Sequence, residues 1–178
     1  GPDLLVLAAG IDAPPSDRSW ELDMSFGPRM KELAPTASAI LETNVVGIIR
    51  CLEAFTPGMI ARGGGSVVMV GSLYGSVASD PALYAHLGSF DKPPAYGASK
   101  AAVAALARHY AVRLAPHGIR VNTLSPGGVR GDQDETFQRL YSERVPLGRM
   151  AEPSDLIGPL FFLLSDASCY VTGHELRV

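Results

Sequence analysis

Tyr96 and Lys100 stand four residues apart in Pro94-Ala95-Tyr96-Gly97-Ala98-Ser99-Lys100, and the stretch continues into Ala101-Ala102-Val103-Ala104-Ala105-Leu106-Ala107. Alanine and leucine are strong helix formers. The pair therefore falls on one face of a helix, with Cβ atoms about 6 Å apart. A free phenol has a pKa of about 10 and is a poor base at neutral pH. An ammonium group beside it stabilises the phenolate and lowers that value. Together the two side chains make a proton-transfer device. The same spacing also occurs where the aromatic fills a core and the lysine is solvated. The elements around the pair decide between the two.

Those elements alternate. Leu4 to Ala8 is a short apolar run, the pattern of a strand buried on both faces, and Ala9-Gly10 ends it. Residues 11–35 hold Pro14, Pro15, Pro28 and Pro35 and read as a loop with at most one helical turn. Thr36 is a helix cap, and an apolar helical pattern runs from it through Ile40, Leu41, Val45, Ile48, Ile49, Leu52, Phe55 and Met59. Asn44 interrupts that pattern, and asparagine is a poor mid-helix residue. It reads either as a polar group satisfied in the core or as part of a site. Arg62-Gly63-Gly64-Gly65 is a turn, and Ser66-Val67-Val68-Met69-Val70 is a strand closed by Gly71-Ser72. Residues 73–94 form a long loop, a length usually tied to function. The helix holding Tyr96 runs to about Leu114. Ile119 to Leu124 is a third strand, ended sharply by Ser125-Pro126-Gly127-Gly128. Asp134 to Tyr141 is a short helix, Pro153 opens another to about Ser165, and Glu175 to Val178 is a fourth strand.

This alternation predicts an α/β fold with a parallel sheet. Ligands of such sheets bind beyond the carboxyl ends of the strands. Ala9-Gly10, Gly71-Ser72 and Ser125-Pro126-Gly127 all fall on that rim.

Composition sets the outer limits. The 178 residues suit one domain and are 47% apolar, enough for a sizeable core. A net charge of −3, without a basic run, gives no reason to expect nucleic acid. Cys51 and Cys169 lie in no Cys-x-x-Cys pair and read as small buried hydrophobes. His86, His109, His117 and His174 do not cluster with carboxylates at ligand spacing, so no metal is expected. No run reads as long and apolar enough to span a membrane and no signal peptide is visible, which makes a cytoplasmic, reducing compartment the expectation. Gly1-Pro2-Asp3 leads straight into a strand and Glu175-Leu176-Arg177-Val178 ends in one. The chain thus reads as a single domain unit over 1–178, the catalytic C-terminal portion of a larger sheet, cut at both ends.

The motifs, in order, resemble the short-chain dehydrogenase/reductase family, of the single-domain type. Ala9-Gly10 is similar to the end of its Asn-Asn-Ala-Gly motif, and Asn44-Val45-Val46-Gly47 to its helix asparagine motif. Ser72 follows the second strand as the family's catalytic serine does, and Tyr96-Gly97-Ala98-Ser99-Lys100 resembles its Tyr-x-x-x-Lys. Arg120 to Gly127, Pro146 to Met150 and Tyr170 to Gly173 resemble later family stretches.

The resemblance implies a partial Rossmann-like, doubly wound sheet and an NAD(P)-dependent oxidoreductase interconverting a secondary alcohol and a ketone. It implies that Tyr96 is the acid/base group, that Lys100 lowers its pKa and binds the nicotinamide ribose, and that Ser72 hydrogen-bonds the substrate oxygen. Asn44 would hold a water linking Lys100 to solvent. Ala9, Gly10, Pro126, Gly127 and Val129, with Tyr96 and Lys100, would line an NAD or NADP cofactor.

Departures from the family pattern are visible. The glycine-rich dinucleotide turn, the first helix and the first three strands, which carry the pyrophosphate site and the NAD/NADP selector, are not in these residues. Leu7 and Ala8 stand where two asparagines are usual, Gly131 stands where a threonine is frequent, and the loop between Ser72 and Tyr96 is long. Epimerisation or dehydration of nucleotide sugars is an alternative, as is a cofactor-free scaffold. The intact Asn44, Ser72, Tyr96 and Lys100 set speaks against the scaffold.

Two further expectations follow. The 73–94 loop carries Tyr74, Tyr84, His86 and Asp91, polar groups suited to hydroxyls, so it is expected to lid the site and to bind a sugar-like or polyol-like substrate through Ser72, Tyr74, Tyr84, His86 and Tyr96. A homodimer or homotetramer is expected: the helices at 36–62 and 96–114 keep apolar residues on more than one face, Ile48, Leu52 and Phe55 on one helix and Val103, Leu106 and Tyr110 on the other, and the resemblance implies that they pack against their copies.

Overall fold

A computed structural model of the chain describes residues 2–12, 36–88 and 92–178. Strands β1 (Leu4–Leu7), β2 (Gly65–Val70), β3 (Ile119–Ser125) and β4 (Glu175–Arg177) form one sheet in that order, each neighbouring pair parallel. Helices α1 (Ala37–Leu41) and α2 (Gly47–Ala61) lie between β1 and β2, and α3 (Pro94–Leu114) lies between β2 and β3. Helices α4 (Glu135–Ser142) and α5 (Ile157–Leu164) lie between β3 and β4.

The period-two alternation of β2 sorts the helices onto two faces. Val67 and Met69 are fully buried against Ile48, Leu52 and Met59 of α2 and Val103, Ala107 and Ala111 of α3. Val68, between them, packs on the other face with Leu124 and with Leu163 of α5. Burial on both faces is why β2 is an unbroken apolar run. Arg120 fastens the end of α5 by donating to Leu163 O at 2.9 Å and Ser165 O at 3.0 Å. Asn122 fastens the approach to β4, donating to Val171 O and accepting from His174 N.

β1 departs from the expected burial. Leu7 is buried, but Leu4 is 53% and Val6 40% exposed. β1 ends the sheet order, and α5 packs over β2 and β3. The cysteines depart as well: Cys51 is half-buried and Cys169 exposed.

The helix capped by Thr36 is continuous to Ala61 but not uniformly α. Glu42–Val46 is a turn of π-helix with Asn44 inside it. The run Ala37–Ala61 spans 25 residues, long and apolar enough by length and composition to cross a bilayer, contrary to the expectation that no run is. One stripe of it packs into the core. Ile40, Asn44, Ile48, Leu52, Thr56 and Met59 are buried, one inward stripe at spacings of three and four. The same stripe sorts the residues expected at an interface between copies. Ile48, Leu52 and Val103 belong to the chain's own core, Leu106 and Tyr110 pack partly against it, and of the six only Phe55 is exposed, at 42%.

Residues 73–88 are not an irregular loop. They form three short 3₁₀ turns, Leu73–Gly75, Pro81–Leu83 and Ala85–Leu87. Leu83 and Tyr84 are buried with Phe137 of α4 and Met150. The first turn lies directly on the backbone of α3. A Cβ at Gly75 would stand 2.8 Å from Lys100 C and 2.9 Å from Ala101 N, and one at Gly97 would stand 3.0 Å from Tyr74 O. Because backbone atoms cannot move aside cheaply, Gly75→Ala is expected to destabilise the protein by about 1–3 kcal/mol, as overpacking does. Thermal unfolding of the variant checks this, and an unchanged unfolding temperature would contradict the contact.

Candidate active site

Lys100 lies on the inward side of α3, 7% exposed, and donates to Val70 O at the end of β2 at 3.0 Å. Asn44 approaches from the π-helical turn. Its amide donates to Ile11 O and to Ser99 Oγ, both at 3.0 Å, and its carbonyl accepts from Ile11 N at 2.8 Å. Ser99 in turn donates to Tyr96 O at 2.7 Å. One buried asparagine thus ties the end of the β1 rim to the first turn of α3. Gly10 sits against the same pair: a Cβ there would stand 3.4 Å from both Asn44 Oδ1 and Lys100 Nζ.

Ser72 follows β2 and caps the Leu73–Gly75 turn, its Oγ accepting from Tyr74 N at 3.2 Å. That bond occupies an acceptor site and leaves the hydroxyl proton to point elsewhere. Leu73 N donates to Pro126 O at 2.9 Å, so the ends of β2 and β3 are held together. Burial pushes the Tyr96 phenol above its ordinary value, and the Ser72 hydroxyl beside it acts in the opposite direction. Burial pushes the Lys100 ammonium down, and the Asp12 carboxylate acts against that. The expected lowering of the phenol by Lys100 is therefore not found. Lys100 Nζ is 5.8 Å from the Tyr96 ring centre and engaged with Val70 O, so desolvation dominates.

Ser72, Tyr74, Tyr84 and Tyr96 line one cavity of about 200 Å³, together with Gly127, Gly128, Val129, Gln133, Phe137 and Tyr141. Tyr74 and Tyr84 share a hydrogen bond at 3.1 Å. The Gly128 N–H donates to the Tyr141 hydroxyl at 2.6 Å, and a Cβ at Gly128 would stand 2.5 Å from the Tyr141 ring, so only glycine lets α4 close on this loop. The segment between β3 and α5 is bound at its base, where Ala151 N donates to Gly128 O and Arg130 N to Ala151 O.

His86 is not on the cavity wall. Its Nε2 is 2.9 Å from Asp134 Oδ1, at the cap of α4. Ala9 and Gly10 lie at the exposed end of β1, and Pro126 is buried behind Gly127. Asp91 and residues 13–35 lie outside the described residues. Ser99, Gln133, Tyr141 and Lys92 were not singled out by sequence. Ser99 alone was visible there, one residue before Lys100.

The donor set fits a nicotinamide riboside. Lys100 has three N–H donors, one of which goes to Val70 O, and it faces the side-chain-free Gly10. That suits a ribose diol, while Gly128 is covered by the Tyr141 ring and Gly127 is bonded to Val178 O.

A family model described as enoyl-(acyl carrier protein) reductase matches residues 26–178. A vibriobactin-specific 2,3-dihydro-2,3-dihydroxybenzoate dehydrogenase from Vibrio cholerae is 36% identical, over 79% of this chain and 55% of its own length. A galactitol 2-dehydrogenase (L-tagatose-forming) from Cereibacter sphaeroides is 35% identical, over 78% of this chain and 54% of its own. The crystal structure of a short-chain dehydrogenase from Leptospira borgpetersenii with bound NAD+ superposes with a TM-score of 0.81 at 31% identity, covering 99% of this chain and 63% of that one. The chain spans just over half the length of the two curated relatives.

Burial raises the phenols of Tyr74, Tyr84, Tyr96 and Tyr141, four of the six tyrosines in the chain. A raised phenol favours the neutral form in the folded state. Its contribution to stability is complete below the ordinary value of 10.0 and is lost as pH rises through the folded value. Spectrophotometric titration should show these four ionising late and together with alkaline unfolding. Ordinary ionisation of all six in the intact fold would contradict the burial.

Proposed function

The chain belongs to the short-chain dehydrogenase/reductase family, and on that premise we propose that the protein interconverts a secondary alcohol and a ketone with NAD or NADP. The observation that carries this reading is the meeting of Ser72 and Tyr96 on one cavity wall, with Lys100 and Asn44 behind them. A bound nicotinamide would supply hydride exchange at the carbinol carbon.

The chain's own groups handle the oxygen. Ser72 directs its hydroxyl proton at the substrate oxygen and stabilises charge there. Tyr96 gives its proton to that oxygen in reduction and takes it back in oxidation. Lys100 would hold the ribose, and Asn44 steadies the tyrosine's backbone through Ser99. The raised phenol fixes the pH behaviour: reduction, which needs the protonated form, keeps its rate through neutral pH and falls only in the alkaline range. Oxidation, which needs the proton removed, rises with pH.

The substrate we favour is a small sugar-like or polyol-like compound. Tyr74, Tyr84, Tyr141 and Gln133 offer hydroxyl and amide partners on the cavity wall. The Cereibacter relative, named for galactitol, supports the same class. The 73–88 segment acts as a fixed wall of this cavity. We further propose a cytoplasmic homodimer or homotetramer, in which Phe55 and the 78% exposed Val112 are covered by a second copy. A monomeric mass by light scattering would refute the assembly.

Tyr96→Phe removes the only proton donor assigned to the reacting oxygen. It is expected to lower kcat by about 10²–10⁴ on the best substrate of a polyol and ketose panel, with the unfolding temperature unchanged. Wild-type turnover in this variant would defeat the mechanism.

A further inference from the structure

Lys92 lines the same cavity and has no part in the mechanism above. Its Nζ lies 5.3 Å from the Tyr96 ring centre and 5.9 Å from that of Tyr74. Its side chain is only 13% exposed. Among the described residues on the cavity wall it is the one cation, and no carboxylate accompanies it there. The phenols and the Gln133 amide are neutral.

A buried ammonium requires a countercharge. Asp12 supplies it from behind the wall, 2.5 Å from Lys92 Nζ. Asp12 is itself placed by the site, because the backbone of the preceding Ile11 is held on both sides by Asn44. The two aromatic faces add a cation–π restraint. The ammonium is therefore fixed beside the acid/base tyrosine. It has three N–H donors, so engagement with Asp12 does not exhaust it.

We propose that Lys92 is a specificity residue that selects substrates carrying a carboxylate a few atoms from the reacting carbinol, such as small aldonic or other hydroxy acids. This rests on the oxidoreductase reading and narrows it. The substrate carboxylate shares the ammonium with Asp12 through a charge-assisted hydrogen bond, about twice as strong as the neutral bonds the phenols offer a polyol. Neutral analogues offer the ammonium's remaining donors only neutral partners, so the acid gains the stronger bond.

The test uses matched pairs, ribitol with ribonate and xylitol with xylonate, under NAD+ and NADP+. Wild type is expected to favour the acid by about 10-fold or more in kcat/KM. Lys92→Gln should raise KM for the acid by about 10- to 100-fold, the worth of a hydrogen bond to a charged group, while moving KM for the polyol less than about 3-fold. Lys92→Arg should keep the preference, and Asp12→Asn should strengthen it by removing the competing carboxylate. Calorimetric binding of each pair to Tyr96→Phe, with and without Lys92→Gln, reads the same preference without turnover. Equal treatment of acid and polyol by wild type, or equal losses for both in Lys92→Gln, would overturn the proposal. A preserved binding preference with no oxidation of either compound would instead defeat the oxidoreductase reading and leave the anion site standing.

Discussion

The contact between the Leu73–Gly75 turn and the backbone of α3 is the constraint on which the site depends. Gly75 and Gly97 have no Cβ, so main chain rests on main chain at the level of Tyr74, Lys100 and Ala101. Ser72 stands at the start of that turn and Tyr96 in the first turns of the helix. Their separation is set by backbone, not by adaptable side chains. Preorganisation of this kind is what lets acid/base groups act without rearrangement. The remaining walls are joined to the same frame by hydrogen bonds from Leu73 N to Pro126 O and from Gly128 N to the Tyr141 hydroxyl.

The buried polar groups form a second frame. Asn44 sits in a π-helical turn and makes three hydrogen bonds, to both backbone groups of Ile11 and to Ser99. π-turns cost regular helix bonds and are often found at functional positions. Here the widened turn lets one side chain reach both the β1 rim and α3. Desolvation then governs the charges. It raises Tyr96 and lowers Lys100, and Ser72 and Asp12 oppose those shifts. The phenol stays protonated at neutral pH, as the proposed role of proton donor requires.

Much of this was legible in the residues. The Tyr96–Lys100 spacing, the interruption at Asn44 and the small residues after each strand placed the rim correctly, because each is a local signal. Long-range facts were not local. Nothing in the sequence tells that Lys92 and Asp12 pair, since they are eighty residues apart and neither belongs to a periodic element. Loop position did not tell that Tyr84 faces inward while His86, two residues on, turns to Asp134. The apolar stripe of Ile48, Leu52 and Val103 could serve a core or an interface, and only the packing assigns it to the core. Edge position, which exposes Leu4 and Val6, belongs to the sheet order and not to the strand itself.

The most direct measurement follows a label. A small polyol or hydroxy acid carrying deuterium at its reacting carbinol carbon is incubated with the protein and NAD+ or NADP+, and the products are read by mass spectrometry. The proton-transfer frame around Tyr96 implies net hydride transfer, so one deuterium per turnover should appear on the reduced nicotinamide and none in water. Deuterium returned to the sugar carbon with inverted configuration, or lost to solvent, would contradict an alcohol–ketone oxidoreductase.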